Sequence, residues 1–249
     1  LWITDPWDTL DHPLETTLRL MAAGHALGAE IYWADVASIC LVDSTVHLQS
    51  QKLLGVAPSL KPETFSWDPP RVTTPDFFQQ IHYRVDPPVD LHFLQPIGLL
   101  ELAAAQYPQI EWVNPLNIIA LESEKTAGMW FPENFPNSLV TSSHEQALAF
   151  ITKNPGSVVK PLHNAGSRGI FRAHTAADLE SLVWKRPGDF SGQLYLFQKF
   201  LPEIERGETR LWFTDGEMMG SVLKLPKSGD FRILIDEGSR VLPTELTTT

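Results

Sequence analysis

The first part of the chain alternates between short β-branched or aromatic runs and a longer helical pattern. From Glu15 to Leu27, apolar residues recur at helical spacing and Gly28 follows as a stop, so this segment is predicted to be a helix. A strand ending at Thr4 precedes it, and a strand from Glu30 to Val36 follows it. Strand, helix and strand in this order predict a βαβ unit and a parallel sheet.

Further along, strands are predicted at 81–85 and 111–113, with a helix at 96–107 between them. The segment 46–74 is rich in Pro, Ser and Lys and has no clear period, so it stays unassigned. The single cysteine, Cys40, lies among apolar neighbours that predict a buried thiol.

The later part of the chain predicts shorter elements of both kinds. In order, they are a helix at 122–130, a strand at 139–141, helices opened by the capping boxes Ser142 with Glu145 and Thr175 with Asp178, a strand at 194–200, and a hairpin of 210–214 with 219–225 around Asp215-Gly216. The second capped helix is predicted to turn Leu179, Leu182 and Val183 inward. From Pro226 onward the sequence is predicted to be loop-like.

The stretch from Ser157 to Arg172 combines a strand, a lysine, a glycine-bearing loop and a second strand. Lys160 ends an apolar run, where burial of its ammonium is costly without an anionic partner. The loop from His163 to Gly169 tolerates unusual backbone angles and can direct several N–H groups at a polyphosphate. The lysine precedes the glycines, so this is not a Walker-type loop. A hairpin with a surface lysine remains the alternative.

Composition narrows the class of protein. The chain has 249 residues, a formal net charge of −11 and one cysteine, which predicts a soluble globular protein without a nucleic-acid surface or a disulfide framework. It has no run of 18 apolar residues, so no membrane span is predicted. A start without the features of a signal peptide, together with the lone cysteine, favours the cytoplasm. The absence of an initiator Met predicts that residues precede Leu1 or that the sequence is a fragment.

Several short segments then fit one pattern in order and spacing. They are Asp5-Pro6; Arg84 with Asp86-Pro87-Pro88; Val113-Asn114-Pro115; Glu124-Lys125; Val159-Lys160-Pro161-Leu162; Gln198 to Pro202; Gly207-Glu208-Thr209-Arg210; and Lys224-Leu225-Pro226 with Gly229-Asp230-Phe231-Arg232. This set resembles the bacterial type of glutathione synthetase, in the ATP-grasp superfamily of carboxylate–amine ligases, over residues 3–243.

The resemblance implies an α/β fold. A parallel-sheet pre-ATP-grasp domain is expected at 1–118, an ATP-grasp lid subdomain at 119–198, and part of the large subdomain at 199–249. It also implies a ligase that makes an acyl phosphate from a carboxylate and ATP, and lets an amine displace the phosphate. The expected partners are ATP, a dipeptide-like acid and an amino acid, with γ-glutamylcysteine and glycine as first candidates. A homo-oligomer is left open.

Site residues follow from the same resemblance. The residues expected to bind the nucleotide are Lys125, Lys160, Asn164, Gly166, Ser167, Gln198, Lys199, Phe200, Leu201 and Glu208. Those expected near the transferred phosphate and the acyl substrate are Arg210, Lys224 and Arg232. The residues themselves leave other interpretations open. Lys125 could be an exposed helix lysine paired with Glu122 or Glu124. Glu208, Lys224 and Arg232 could be solvated surface charges.

Three features depart from the family pattern. The phosphate loop is less rich in glycine, with His163, Asn164, Ser167 and Arg168 in its place. Leu234 stands where the family commonly has an Asn. The family's Mg²⁺ ligands, an Asp, a Glu and an Asn, are expected beyond residue 249, so no metal ligand is assigned in this chain. Leu234 and the altered loop favour two alternatives: ligation of a different amino acid or peptide, and a regulatory protein that binds nucleotide without turnover. The missing metal ligands predict that the sequence is incomplete or that the protein is not a competent ligase as given.

Overall fold

The computed structural model describes residues 1–10, 15–182, 184 and 193–244, and the chain divides into two units, Leu1–Glu122 and Ser123–Thr249. The domain boundaries predicted at residues 118 and 198 stay predictions. None of the helices in these residues is both long enough and apolar enough to cross a bilayer.

The first unit is built on one large mixed sheet. Its strands are β1 (Trp2–Thr4), β2 (Tyr32–Asp35), β3 (Cys40–Val42), β4 (Thr45–Val56), β5 (Phe65–Trp67), β6 (Arg71–Thr73), β7 (Gln80–Tyr83) and β8 (Glu111–Val113). Its helices are α1 (Thr16–Ala26), α2 (Leu91–Gln106) and α3 (Leu116–Leu121). The strand order is β3-β4-β2-β1-β7-β8, and both β5 and β6 pair with β4.

The predicted βαβ unit is confirmed, since β1 and β2 are parallel neighbours with Ile3 opposite Ala34. The pairs of β1 with β7 and of β7 with β8 are also parallel. Ile3, Ala34 and Ile81 are completely buried, which is typical of parallel strands covered on both faces. Helix α1 ends where the sequence predicts, with Gly28 in the left-handed region at φ 88°.

The antiparallel side of this sheet lies in the segment that has no clear period. Strand β4 is 12 residues long and pairs with four other strands, among them β5 and β6. The predicted burial of Cys40 is wrong, because Cys40 lies on β3, whose three residues are all exposed. Helix α2 begins at Leu91, five residues before the predicted start. It contains Pro96, and its first turn is capped by the Asp90 carboxylate, which accepts from the Phe93 N–H at 3.2 Å.

The second unit begins with a four-stranded antiparallel sheet. Its elements are β9 (Ser138–Thr141), α4 (His144–Lys153), β10 (Ser157–Pro161), β11 (Phe171–Ala173) and β12 (Tyr195–Gln198), with the strands in the order β11-β10-β12-β9. The pairing of Val159 with Phe171 on β11 confirms the predicted strand, loop and strand. On the other side of β10, Val159 pairs with Phe197. Both side chains are fully buried beneath α4, which contributes Ala147 and Ile151 to the same cluster.

Three local predictions in this unit need correction. Helix α4 is capped by Ser143, which accepts from the Gln146 N–H, so the predicted cap at Ser142 is wrong by one residue. The capping box of Thr175 with Asp178 is present, but it opens only a short 3₁₀ helix, Ala176–Leu179. The helix predicted at 122–130 is instead a turn followed by a 3₁₀ helix, Ala127–Trp130, and Val183 lies outside the described residues.

A second antiparallel sheet contains β13 (Glu208–Thr214), β14 (Glu217–Leu225) and β15 (Arg240–Pro243). The predicted hairpin is confirmed, and its turn places Asp215 and Gly216 at φ 49° and 80°. Positive φ at both central residues is the geometry that favours Asp-Gly in tight hairpins. Strand β15 falls in the segment after Pro226 that is predicted to be a loop, so that prediction is wrong there.

Candidate functional site

A cleft of about 940 Å³ lies within the second unit. Its size falls in the range of small-molecule and cofactor sites, which is roughly 300 to 1,000 Å³. All thirteen residues singled out from the sequence line this cleft: Lys125, Lys160, Asn164, Gly166, Ser167, Gln198, Lys199, Phe200, Leu201, Glu208, Arg210, Lys224 and Arg232. The fold therefore brings them together, while their individual roles stay predictions.

One wall of the cleft is the loop between β10 and β11. Gly166, Ser167 and Gly169 all have positive φ, at 61°, 60° and 72°. The Arg168 N–H donates to the Ala165 carbonyl at 3.2 Å, which closes a turn inside the loop. Positive φ costs little at glycine but is strained at a serine, and such strain is concentrated at functional sites.

Lys125 reaches this loop from the turn that follows α3. Its ammonium donates to the carbonyl oxygens of Asn164 and, at 3.4 Å, Leu162, and it lies 3.5 Å from a Glu124 carboxylate oxygen. The side chain is only 12% exposed. The alternative of an exposed helix lysine is therefore wrong, although the pairing with Glu124 that it includes is present.

Lys160 lies on β10 and is partly buried. Its ammonium donates to the side-chain oxygen of Gln198 at 2.9 Å, across the sheet on β12. Burial, reinforced by the nearby Lys125 charge, holds the pKa of Lys160 below its ordinary value, while Glu208 and Glu124 oppose the shift. The contact is with a neutral amide, so the charge of Lys160 is not neutralised by this partner.

The facing strands β13 and β14 bring charges of both signs into the cleft. Glu208 is directly opposite Lys224 in the ladder, and it accepts a hydrogen bond from Arg210 at 3.0 Å. Burial and the Arg210 charge hold the pKa of Lys224 below its ordinary value, and Glu208 opposes the shift. All three side chains thus form one electrostatic group at the end of this hairpin.

Arg232 is held by a residue that the sequence reasoning missed. Its side-chain Nε and Nη2 donate to the two carboxylate oxygens of Asp230 at 3.1 and 2.8 Å. The main-chain N–H of Arg232 donates to the same carboxylate at 2.9 Å. These hydrogen bonds lower the pKa of Asp230 to about 2. An Asp two residues before an Arg in a glycine turn is the signal that could have identified this pair.

The segment from Gln198 to Leu201 connects the two sheets of this unit. The Lys199 N–H donates to the Asn137 carbonyl at 2.9 Å, which extends the pairing of β12 with β9. The Arg172 guanidinium stacks over the Phe200 ring, 3.8 Å from its centre. The Phe200 and Phe231 rings pack edge to face, with their centres 5.9 Å apart. Arg172 was assigned no role from the sequence, because a lone Arg in a strand gives no signal of its partner.

The side chains that line the cleft carry a net positive charge, although the protein as a whole is acidic. Its lining includes seven basic side chains and three acidic ones, Glu124, Glu208 and Glu237. The whole chain, by contrast, has a formal net charge of −11. A local excess of positive charge on an acidic protein indicates an anionic ligand.

The described part of the chain contains no cluster of side chains suited to a metal ion. Within residues 1–10, 15–182, 184 and 193–244, no group of three or more His, Cys, Asp or Glu side chains lies close enough to hold a metal ion. The described acidic residues of the cleft therefore do not fit a magnesium site by themselves, and the prediction of metal ligands beyond residue 249 stays a prediction.

Comparison with known proteins covers nearly the whole chain. Residues 1–115 match the family described as prokaryotic glutathione synthetase, N-terminal domain, and residues 124–249 match its ATP-grasp domain. A glutathione synthetase of Prochlorococcus marinus is 29% identical over 99% of this chain and 77% of its own length. One of Agrobacterium fabrum is 25% identical over 94% of this chain and 72% of its own length.

Solved structures of several ligases have a similar fold. A D-cycloserine synthetase superposes with a TM-score of 0.58 at 13% identity, over 98% of this chain and 75% of that one. The ATP-grasp ligase PsnB, complexed with a variant of its minimal precursor, Mg and ADP, gives 0.55 at 14% identity, over 99% and 77%. At these identities the likeness shows the fold alone, and it confirms the predicted ATP-grasp fold.

Proposed function

The chain belongs to the prokaryotic glutathione synthetase family of ATP-dependent peptide-bond-forming ligases, and on that premise we propose that it joins γ-glutamylcysteine to glycine through an acyl phosphate. The reaction has two steps. A carboxylate oxygen of the acid attacks the γ-phosphorus of ATP and ADP leaves. The amine nitrogen of the acceptor then attacks the acyl carbon, inorganic phosphate leaves with the bonding electron pair, and the nitrogen loses a proton.

The observation that carries this proposal is the positive cleft. Both ATP and the acid substrate are anions, and phosphoryl transfer spreads further negative charge over the equatorial oxygens. Preorganised cations stabilise such charge without reorganisation during the reaction. A cleft with seven basic side chains on a protein of net charge −11 supplies that environment.

The positions of the lining residues suggest which part of the nucleotide each of them would bind. Lys125 and Lys160 stand beside the glycine-bearing loop, where they would contact the phosphates of the nucleotide. The segment from Gln198 to Leu201 would contact the adenine edge through its main chain, and Glu208 would accept from the ribose hydroxyls. These roles match those that the family resemblance implies for the same positions.

Arg210, Lys224 and Arg232 would stabilise the transferred phosphoryl group and the acyl substrate. Arg232 is oriented by its two-pronged contact with Asp230, at 2.8 and 3.1 Å, so its position is fixed before substrate binds. ATP-grasp ligases work with Mg²⁺, but the described residues do not form a metal site, so no step here is assigned to a metal. The cytoplasm, with its reduced thiols, is the compartment that this substrate pair favours.

A second candidate is ligation of a different amino acid. It is favoured by Ile233, Leu234 and Ile235, which line the cleft directly after Arg232. Apolar side chains at that position would suit an acceptor with an apolar side chain better than glycine. The enzyme class would be unchanged, and only the amine would differ.

Phosphate release by the full-length protein, with ATP and Mg²⁺ present, tests both candidates. We expect release only when a donor acid and an acceptor amine are both supplied, with γ-glutamylcysteine and glycine as the productive pair. Faster release with an apolar amino acid in place of glycine would establish the second candidate. Nucleotide binding without release for any pair of acid and amine would overturn ligase activity in favour of a regulatory role.

A further inference from the structure

A series of hydrogen bonds connects Lys160 to the start of β9. The Lys160 ammonium donates to Gln198 Oε1 at 2.9 Å, and Gln198 Nε2 donates to the Ser138 hydroxyl oxygen at 3.1 Å. The Ser138 hydroxyl donates in turn to the Pro136 carbonyl at 2.7 Å. Ser138 is not among the site residues predicted from the sequence.

The direction of these hydrogen bonds is fixed by the two terminal groups, the Pro136 carbonyl and the Lys160 ammonium. A carbonyl oxygen can only accept, so the single hydroxyl proton of Ser138 is committed to Pro136. Towards Gln198, Ser138 is therefore an acceptor, and the amide must turn its NH₂ group to Ser138 and its oxygen to Lys160. An ammonium can only donate, so this is the one amide orientation that it can use.

The amide has little freedom to choose otherwise. Gln198 is only 8% exposed, and its strand is paired with β9 on one side and β10 on the other. A buried amide that loses a partner is costly, and the reversed orientation would leave both Ser138 and Lys160 without a hydrogen bond to the amide. Removing the Ser138 oxygen would remove one of the two hydrogen bonds that hold the amide in the orientation that serves Lys160.

We propose that Ser138 is a positioning residue, which acts through the Gln198 amide to hold the Lys160 ammonium at the wall of the cleft. The nucleotide then meets a cation that is already in place. This inference rests on the proposed function only in identifying the ligand that benefits, because the hydrogen-bond chain itself is complete without one. A purely structural role would be different: Ser138 would only stabilise the turn at Pro136.

The first test needs no nucleotide. The rate at which an amine-acylating reagent modifies Lys160 is measured against pH by peptide mass spectrometry, with exposed Lys153 as an internal reference. The charged groups that act on Lys160 are Lys125, Glu124 and Glu208, and all three are unchanged in the variants. In Ser138→Ala the amide that accepts from the ammonium is held less firmly, so the neutral amine becomes more populated and acylation should rise about two- to tenfold.

The matched variant is Ser138→Thr, which keeps the hydroxyl and should restore the wild-type profile. A profile of Ser138→Ala that superimposes on that of the wild type, with Lys153 modified equally in both, would overturn the inference. So would a rise in Ser138→Ala that Ser138→Thr fails to reverse, since the hydroxyl would then not be the cause.

The second test is a double-mutant cycle on nucleotide affinity, measured by calorimetry with a non-hydrolysable ATP analogue and Mg²⁺. Ser138→Ala should weaken binding about two- to tenfold in the wild-type background. In Gln198→Met it should have no further effect, because the group through which Ser138 acts is gone. An equal loss in both backgrounds refutes action through Gln198. A wild type that binds no nucleotide refutes the proposed function, and Lys160 acylation then decides the role of Ser138 alone.

Discussion

The Lys125 ammonium lies against the main-chain carbonyl oxygen of Asn164, 39 residues further along the chain. A second carbonyl of the same loop, that of Leu162, accepts from it at 3.4 Å. One side chain thus places a positive charge in the cleft and fixes the loop between β10 and β11. Charge and loop position are coupled at this residue.

Replacing Lys125 with Met should therefore have two effects. Nucleotide affinity should fall about ten- to a hundredfold, since a charge-assisted contact is worth roughly 1.5 to 3 kcal/mol. Amide hydrogen exchange over 163–169 should also become faster in the protein without ligand, because the loop has lost its anchor. Calorimetry and exchange mass spectrometry measure the two effects. Lys153→Met, at an exposed position on α4, is the control, and unchanged exchange in Lys125→Met would contradict the anchoring role.

Lys160→Met should weaken nucleotide binding to a similar extent but leave folding stability unchanged or improved. The partner of Lys160 is a neutral amide, so the substitution leaves one amide oxygen without this donor, and removal of a partly buried charge offsets that cost. A lysine on the surface of a hairpin predicts no change in either quantity. Calorimetric titration, alongside thermal melts without ligand, distinguishes the two.

The same residue should give the stability a pH dependence of known sign. Burial holds the pKa of Lys160 below its ordinary value of 10.5, so the unfolded chain binds more protons between the two pKa values. The penalty is fully present below that window, and stability recovers as the pH rises through it. The gain in unfolding free energy from Lys160→Met should therefore be largest near neutral pH and shrink towards 10.5. Urea titrations across this range measure it, and a gain that is constant with pH would contradict the assignment.

Arg172 should stabilise the second unit through Phe200. Its guanidinium lies 3.8 Å from the centre of the Phe200 ring, and its Nε donates to the Gly156 carbonyl at 3.1 Å. Arg172→Met should lower the unfolding free energy by about 1 to 2 kcal/mol. Chemical denaturation checks the value, with exposed Arg206→Met as the matched control. Equal stability of the two variants would show that the stacked geometry contributes nothing.

Gly156 should tolerate a side chain poorly, because its Cα faces Arg172. Its φ is 75°, and an added Cβ would meet Arg172 Nη2 and lie 2.9 Å from His174 Cε1. Gly216 has a similar φ of 80° but open space around it. Gly216→Ala should thus cost only backbone strain, about 1 to 2 kcal/mol, and Gly156→Ala clearly more. The excess should shrink in an Arg172→Met background, and an excess that persists would place the clash elsewhere.

Local patterns in the sequence were sufficient to predict several elements. The helix that ends at Gly28 and the hairpin at Asp215-Gly216 depend on residues within a few positions of one another, so periodicity and turn chemistry indicate them directly. The segments that surround the cleft were identified in order through their resemblance to the family, since their short motifs follow the same order and spacing along the chain. All thirteen of those residues line one cleft.

Contacts between distant residues were decided only by the tertiary structure. Strand β4 has no clear period because different parts of it pair with β2, β3, β5 and β6, so no single face is uniformly buried. Cys40 is exposed because its strand lies at a sheet edge, which its apolar neighbours cannot reveal. Lys160, Lys125 and Arg172 contact Gln198, Asn164 and Phe200, which are 38, 39 and 28 residues away along the chain. A side chain's propensity is a local property, whereas the group that satisfies its charge or its hydrogen bonds is chosen by which strands the fold places side by side.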